Sequence, residues 1–573
     1  MRKTSNLSLR LYDSSDTFNI TGTDNSLNKN MEIIDEKFSD IPNSADINQI
    51  KNDVDKKVDI SLVKDLLNNT PHVATIENYY DLKRTGKIYQ TKIWKFTTNP
   101  TSTGEKLLDN AGLEFVPSTD TVEGKDDYLN GDHPLFEWVH CNYKRNNDGI
   151  AYPIATEYDD NYATSGAVDV GAMQMSFYWN WDSSNPEYDL ITISDTPNEK
   201  YGLKPWSESK CADGTVLPWC IGSAYISGIA SDGLLRSQPN LKPEKWQSHN
   251  NMISNYQKKG KGYWGAGAER NTFQIIFGLI KGATKNSQSL FQGCTNYSFQ
   301  YSASIQYNEK HTYFPVTNAQ ANNFLVGACV SIGYGALDSA KTGVNNDREN
   351  RTMHQYADDV KVLRIDTLDE NNKAIYLDIK EGFSTTSIPL SDTVSAPIMI
   401  SSMHWHSGST DSVIGRHDGS LKSNTDAKHP YRIQGREYAI GSYIVASDTI
   451  TEAQNDFSRN VYVAPKGTAH SSSDSVIKST YSMIGIMPAY EKGSYYIGDL
   501  SVDLNTGAFF ALSIGSSTST GFADYVYQNG GEKTGTREYL MGGDVGGGSG
   551  AGFSCVNCWF SLGSWYWGFC AAD

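Results

Sequence analysis

The chain has 573 residues, of which 38% are hydrophobic and 20% charged, with a formal net charge of −17 and a pI near 5.1. That length exceeds one hydrophobic core and predicts roughly two to four domains. The acidic balance, with only a short basic run at Lys258, Lys259 and Lys261, argues against nucleic-acid binding.

Residues 1–44 are polar, with one amphipathic piece from Leu27 to Phe38, and read as an attachment segment. The N-terminus MRKTSNLSLRLYDSSD lacks an apolar h-region, so no secretory leader is expected. Residues 45–70 carry Ile47, Ile50, Val54, Val58, Leu62 and Leu66 at helical spacing, ended by Pro71. That pattern predicts an oligomerising helix or coiled coil, or else an amphipathic helix packed on its own domain. After Pro71 the texture changes to strands, and residues 71–175 read as a β-rich connecting region. Apolar residues alternate from Met173 to Trp181 and again from Tyr297 to Tyr307, the period of strands with one covered face. Val360 to Ile365 and Ala374 to Ile379 read the same way, and residues 176–395 form a β-rich body. One helix is predicted over Glu269 to Ile280, with Phe273, Ile276, Phe277 and Ile280 as its stripe and Gly282 to stop it. The run from Phe273 to Ile280 is also the longest apolar stretch, too short to cross a bilayer, so membrane insertion is not expected. From about residue 396, turns become frequent, and 396–573 reads as a further domain. Its last stretch, Gly542 to Ala572, holds Asp544 as its single charged residue, against roughly six for the chain average. With 34 Tyr, 12 Trp and 50 Gly, the fold class expected is mainly β with some α, multidomain and rich in turns.

Several short patterns invite a chemical reading. His404-Trp405-His406 puts two imidazoles on one face of a strand, but apart from His417-Asp418 no third ligand is near in sequence, so a structural role is expected. Cys555 and Cys558 have CxxC spacing, with Cys570 following. The flanking Gly and Ser residues do not open a helix, so neither zinc nor redox chemistry is expected. The eight cysteines form no dense framework, and free thiols are the default, with Cys211–Cys220 as a possible pair across a turn. Acidic pairs such as Asp159-Asp160 and Asp358-Asp359 are common by chance. The Gly262–Gly267 run has the wrong spacing for a phosphate loop and reads as a turn. No catalytic residue, cofactor or metal is expected, and the chain does not read as an enzyme.

Three stretches carry a resemblance: KHPYRIQGREYAIGSYIVASD from Lys428 to Asp448, SSTSTGFADYVYQN from Ser516 to Asn529, and LMGGDVGGGSGAGFSCVNCWFSLGSWYWGFCAAD at the end. They are similar to the C-type-lectin-like, formylglycine-generating-enzyme-like domain that closes phage tail proteins. Gly542, Gly543, Ser549, Ala551, Gly552, Ser561, Gly568 and Phe569 occupy its terminal frame. Val545 stands where the family usually has Trp, and Cys570 where it has Arg, so the residue-by-residue alignment there is loose. Upstream, GDHPLFEW, SAYISGIASDGLLRSQPNLKP and GATKNSQSLFQG resemble the body of such tail proteins, and residues 6–38 resemble their tail-attachment segments.

In one branch of this family, exemplified by the major tropism determinant, a diversity-generating retroelement randomises adenines in the terminal repeat. Such codons do not yield Lys, Glu, Gln or Met, and the segment from Asp544 to Trp567 contains none of the four. The resemblance implies a homotrimeric tail-fibre or tail-tip protein of a phage virion, made in the bacterial cytoplasm, that binds a glycan or protein receptor on the host surface. It would contact other tail and baseplate proteins but no nucleic acid. The contact positions it implies are Asp544, Val545, Gly546, Gly547, Gly550, Ser554, Val556, Cys558, Phe560, Trp565 and Tyr566. A glycan-degrading tailspike enzyme and a purely structural baseplate part are the alternatives.

Overall fold

The computed structural model describes residues 79–562, apart from 472, 492 and 529–532, together with the strand backbones Arg2–Lys3, Arg10–Leu11 and Phe569–Cys570. The amphipathic piece at 27–38, the helix expected over 45–70, and Trp565 and Tyr566 lie outside the described residues. The chain divides into two compact units. The first comprises Met1–Leu82 with Tyr158–Asn161; in it Arg2–Lys3 pairs antiparallel with Arg10–Leu11, and the Asn161 amide donates to Asp159 Oδ1 (2.8 Å). The second comprises Lys83–Glu157 and Tyr162–Asp573, so the boundaries expected at 175/176 and 395/396 both fall inside it.

The second unit is mainly β, with a few helices and several sheets, as its composition predicts. Met173, Met175, Phe177, Trp179 and Trp181 are all buried, but they do not form one strand. The chain leaves the four-stranded sheet at the end of Asp169–Met175 and enters the five-stranded sheet with Tyr178–Asp182. Phe177 sits at the crossover, where its carbonyl accepts from the Trp206 amide (2.9 Å). The alternation therefore does not mark one face: Phe177, Trp179 and Trp181 pack in the main core, which does not include Met173 or Met175. The run from Tyr297 to Tyr307 is less regular than predicted. Only Gln300–Ser302 pairs as a strand, and residues 304 and 307 bond instead to Pro315 O and Thr385 Oγ1.

The helix predicted from its apolar stripe runs Glu269–Gly282 and is buried along nearly its whole length. Gly282 is its last residue and not its stop. Ala283 takes the left-handed cap conformation (φ 46°), its amide donating to Leu279 O (3.0 Å). Leu290 packs directly over Gly282, where a Cβ would lie 2.3 Å from Leu290 Cδ1. Phe273, Ile276, Phe277 and Ile280 join one large core with Ile93 and Ile191 of the five-stranded sheet, Tyr431 of a small three-stranded sheet, and Val461, Leu500, Tyr539 and Val556. The last four belong to a nine-stranded sheet. A six-stranded sheet has a second core of its own around Phe314, Val330, Ile332, Ile375 and Ile400.

The nine-stranded sheet positions the C-terminal segment. Its order is Ser482–Met487, Arg459–Val463, Tyr443–Ala453, Thr536–Met541, Val556–Cys558, Tyr525–Gln528, Gly493–Val502 and Phe509–Ile514, with Phe569–Cys570 added parallel to Tyr443–Ala453. Among the described residues no helix is long and apolar enough to cross a membrane.

Candidate functional site

The segment from Gly542 to Ser561 forms a glycine-rich turn, the short strand Val556–Cys558 and the residues after it. Backbone hydrogen bonds pin the turn on several sides. The Val545 amide donates to Gly441 O (3.0 Å), the Tyr297 amide to Val545 O (2.9 Å) and the Gly548 amide to Thr295 O (2.7 Å). The ends of the turn meet where the Gly552 amide donates to Gly542 O (2.9 Å). Gly543 has φ 114°, and a Cβ there would lie 2.4 Å from that of Ala551, so the turn tolerates no side chain at its root.

The expected contact positions separate into two groups. Val545, Ser554, Val556 and Cys558 are fully buried, and Gly550 is buried beneath Tyr525. These five are corrections: they hold the platform and do not present a surface. Val545 and Val556 pack in the main core with Cys558. Ser554 donates from both its amide (2.9 Å) and its hydroxyl (2.7 Å) to Asp524 Oδ2. Asp544 is buried as well and is a sixth correction; its Oδ1 caps the turn by accepting from the Gly546 amide (2.9 Å). Gly546 is exposed, while Gly547 and Phe560 are half-buried. An uncharged, glycine-rich composition marks the segment but does not say which side chains point outward, and a strand covered on both faces has no alternation to read.

The side chains that do reach solvent beside the turn come partly from other strands. Trp559 is 42% exposed, and Ser549 and Ser561 are exposed. Tyr496, Tyr525 and Tyr527 form a half-buried aromatic row. The ring centroids of Tyr496 and Tyr525 are 4.2 Å apart, those of Tyr525 and Tyr527 are 5.3 Å apart and edge-on, and Tyr496 Oη hydrogen-bonds Ser549 Oγ (2.9 Å). Gly550 makes this row possible, since a Cβ there would lie 2.1 Å from Tyr525 Cδ2. Sequence reasoning missed these residues. The Tyr525-Val526-Tyr527 alternation was the available signal for two of them, and nothing local links Tyr496 to them.

Both thiols of the CxxC pair are buried, and burial pushes them up, Cys558 to about 11. Among the described residues every cysteine is a free thiol, Cys211 and Cys220 included. His417 pairs with Glu123 (3.1 Å) and Asp418 with Lys281 (2.8 Å), while the hydrogen bonds of His404 and His406 go to Ser442 and Asp359.

A separate polar cavity, about 50 Å³ in volume, is lined by Arg145, Trp264, Glu269, Asp448, Lys466 and His470 among others. Glu269 Oε2 and Asp448 Oδ2 converge over Gly267, within 1.9 and 2.4 Å of where a Cβ of that residue would stand. Burial and the nearby Asp448 push the Glu269 carboxyl up to about 8. Such a pair has acid–base character. A volume of this size holds a few waters, which is too little for a sugar ring. Comparison with protein-family models and with curated proteins gave no match for this chain.

Proposed function

We propose that this chain is a receptor-binding protein of a phage tail, which attaches the virion to a host-cell surface through its C-terminal face and carries out no catalysis. The observation that carries this reading is the face beside the glycine turn. There Tyr496, Tyr525 and Tyr527 form a row against the hydrogen-bonded glycine turn, and Trp559 is exposed in the turn's own segment, which holds a single charged residue. Aromatic rings held rigidly offer a large contact area with few torsions to freeze, and they stack on sugars or fill pockets on proteins. Small residues at exposed positions, such as Gly546, Ser549 and Ser561, can be exchanged without disturbing the core beneath. A diversified receptor site makes that demand. Homotrimeric assembly, with several weak sites engaging one cell, raises avidity by about 10²–10⁴ over a single site.

The glycan-degrading alternative would place its chemistry at Glu269 and Asp448, but the cavity there is too small for a saccharide. The test is to present labelled full-length chain to a panel of gut-type bacteria and to assay released sugar in the same samples. Saturable binding to a subset of strains without sugar release is the expected outcome. Release of oligosaccharide, or binding to none of the strains, would overturn the reading.

A further inference from the structure

His404 and His406 lack a third ligand in their own sequence neighbourhood, but the fold brings two candidates to them from distant strands. In the pairing of Cys329–Tyr334 with Ala357–Thr367, Val330 stands opposite Val360 and Ile332 opposite Ala357. Asp358 and Asp359 therefore share Ser331 as a partner, which is a β-bulge. A bulge turns a side chain out of its strand's alternation, and Asp359 adopts the left-handed region (φ 55°), with its amide donating to Ser331 Oγ (3.0 Å). The result is a fully buried carboxylate aimed away from the ladder. A carboxylate oxygen of Asp359, Cys329 Sγ and a ring nitrogen of His406 all lie within 4.8 Å of one another.

The surroundings of this cluster match those of a ligand set. His406 Nε2 donates to the backbone oxygen of Asp359 (2.8 Å), which fixes the ring and leaves the lone pair on Nδ1. His404, fully buried, hydrogen-bonds Ser442 Oγ through Nδ1 (2.7 Å) and donates from Nε2 to Asp359 Oδ2, orienting the carboxylate. Lys245 is engaged by Asp358 (2.6 Å) and stands off Asp359 Oδ2 at 3.9 Å. Asp359 Oδ1 is buried with no hydrogen-bond partner among the described residues. A buried carboxylate oxygen is rarely left unpaired.

We propose that Cys329, Asp359 and His406 bind a divalent transition-metal ion of the zinc type. A thiolate, an imidazole and a carboxylate are the donors such an ion prefers. Ligand bonds of about 2.0–2.3 Å place tetrahedral donors about 3.3–3.8 Å apart, so the three side chains close in by about an ångström around the ion. As the sulfur–metal bond forms, the Cys329 S–H bond breaks and its proton leaves to solvent. The ion also supplies the missing partner of Asp359 Oδ1. His404 is then a positioning residue acting through Asp359. His406 also lines a cavity of about 300 Å³ shared with Lys361, Trp405 and His429, so the cluster borders that cavity through the His406 side chain.

The experiment uses the untagged full-length chain, stripped with chelator and titrated with Co²⁺ and then Zn²⁺. The expected result is uptake of one Co²⁺ per chain with a thiolate-to-cobalt charge-transfer band that Zn²⁺ bleaches. Cys329→Ser removes the band, and His406→Gln weakens Co²⁺ binding by about tenfold or more. His404→Gln, which touches no metal, keeps the band but lowers affinity. Should Cys329→Ser fail to fold, His406→Gln at the cavity wall decides. No uptake by the folded wild-type chain, or wild-type affinity in His406→Gln, overturns the proposal. Neither result bears on attachment to cells.

Discussion

Arg436 is fully buried, and its guanidinium forks onto both oxygens of Glu208 (2.7 and 2.6 Å) while stacking 3.6 Å from the Phe273 ring centroid. Gly222 yields the space, since a Cβ there would lie 2.1 Å from Arg436 Nη1. Against the effect of burial, Arg436 holds the Glu208 carboxyl below its ordinary range. Glu208→Gln strands a buried cation, and the expected loss is about 3–5 kcal/mol in urea unfolding. A loss under about 1 kcal/mol would show that the pair is not needed. At this scale the sequence was only partly legible. The stretch containing Arg436 stood out as a motif, but Glu208, 228 residues away, did not. The C-terminal segment stood out by its composition, whereas the inward facing of Val545, Ser554, Val556 and Cys558 was not legible, because neither charge nor periodicity separates the two sides of that segment.

Helix Glu269–Gly282 was the most legible element, since a stripe at 3.6-residue spacing is a long, redundant signal. Its contact with the C-terminal segment was not legible. Gly278 lets Phe553 approach so closely that a Cβ would stand 2.4 Å from Phe553 Cε2. Gly278→Ala is expected to destabilise the chain by about 1–3 kcal/mol through overpacking. Phe553→Ala in the same chain should recover part of that loss, which a double-mutant cycle reads out. Purely additive losses would mean that the two residues do not meet. The strands were legible by alternation but not by pairing. Met173 to Trp181 alternates across two sheets, and the bulge at Asp358 and Asp359 has no local signature because it exists only against Ser331.

Across the whole molecule, buried ionisable groups tie stability to pH. Burial pushes the Asp524 and Glu437 carboxyls up to about 7, and burial with Asp448 pushes Glu269 up to about 8. In the unfolded chain these groups titrate near 4. Above that range the folded chain keeps protons that the unfolded chain has lost, so stability falls as pH rises towards 7 and 8. Burial holds His249 at about 4 and His470 at about 3. Their effect has the opposite sign and acts below the ordinary imidazole value of about 6.5. The thermal midpoint is therefore expected to fall between pH 6.5 and 8, and Asp524→Asn should flatten that slope. A midpoint that rises over this window in the wild type contradicts the assignment.

The proposed attachment also belongs to the whole-molecule scale, because the face it would use combines the nine-stranded sheet, the glycine turn and the Tyr496 strand. The most direct measurement compares cell binding by the wild-type chain with that of Tyr496→Ala and Trp559→Ala on a strain that the wild type binds. Circular dichroism checks that each variant is folded. Hot-spot aromatics at an interface are each worth about 2 kcal/mol or more, so each substitution is expected to weaken binding by about thirtyfold with the thermal midpoint unchanged. Wild-type binding by both folded variants would show that the receptor is met elsewhere on the chain.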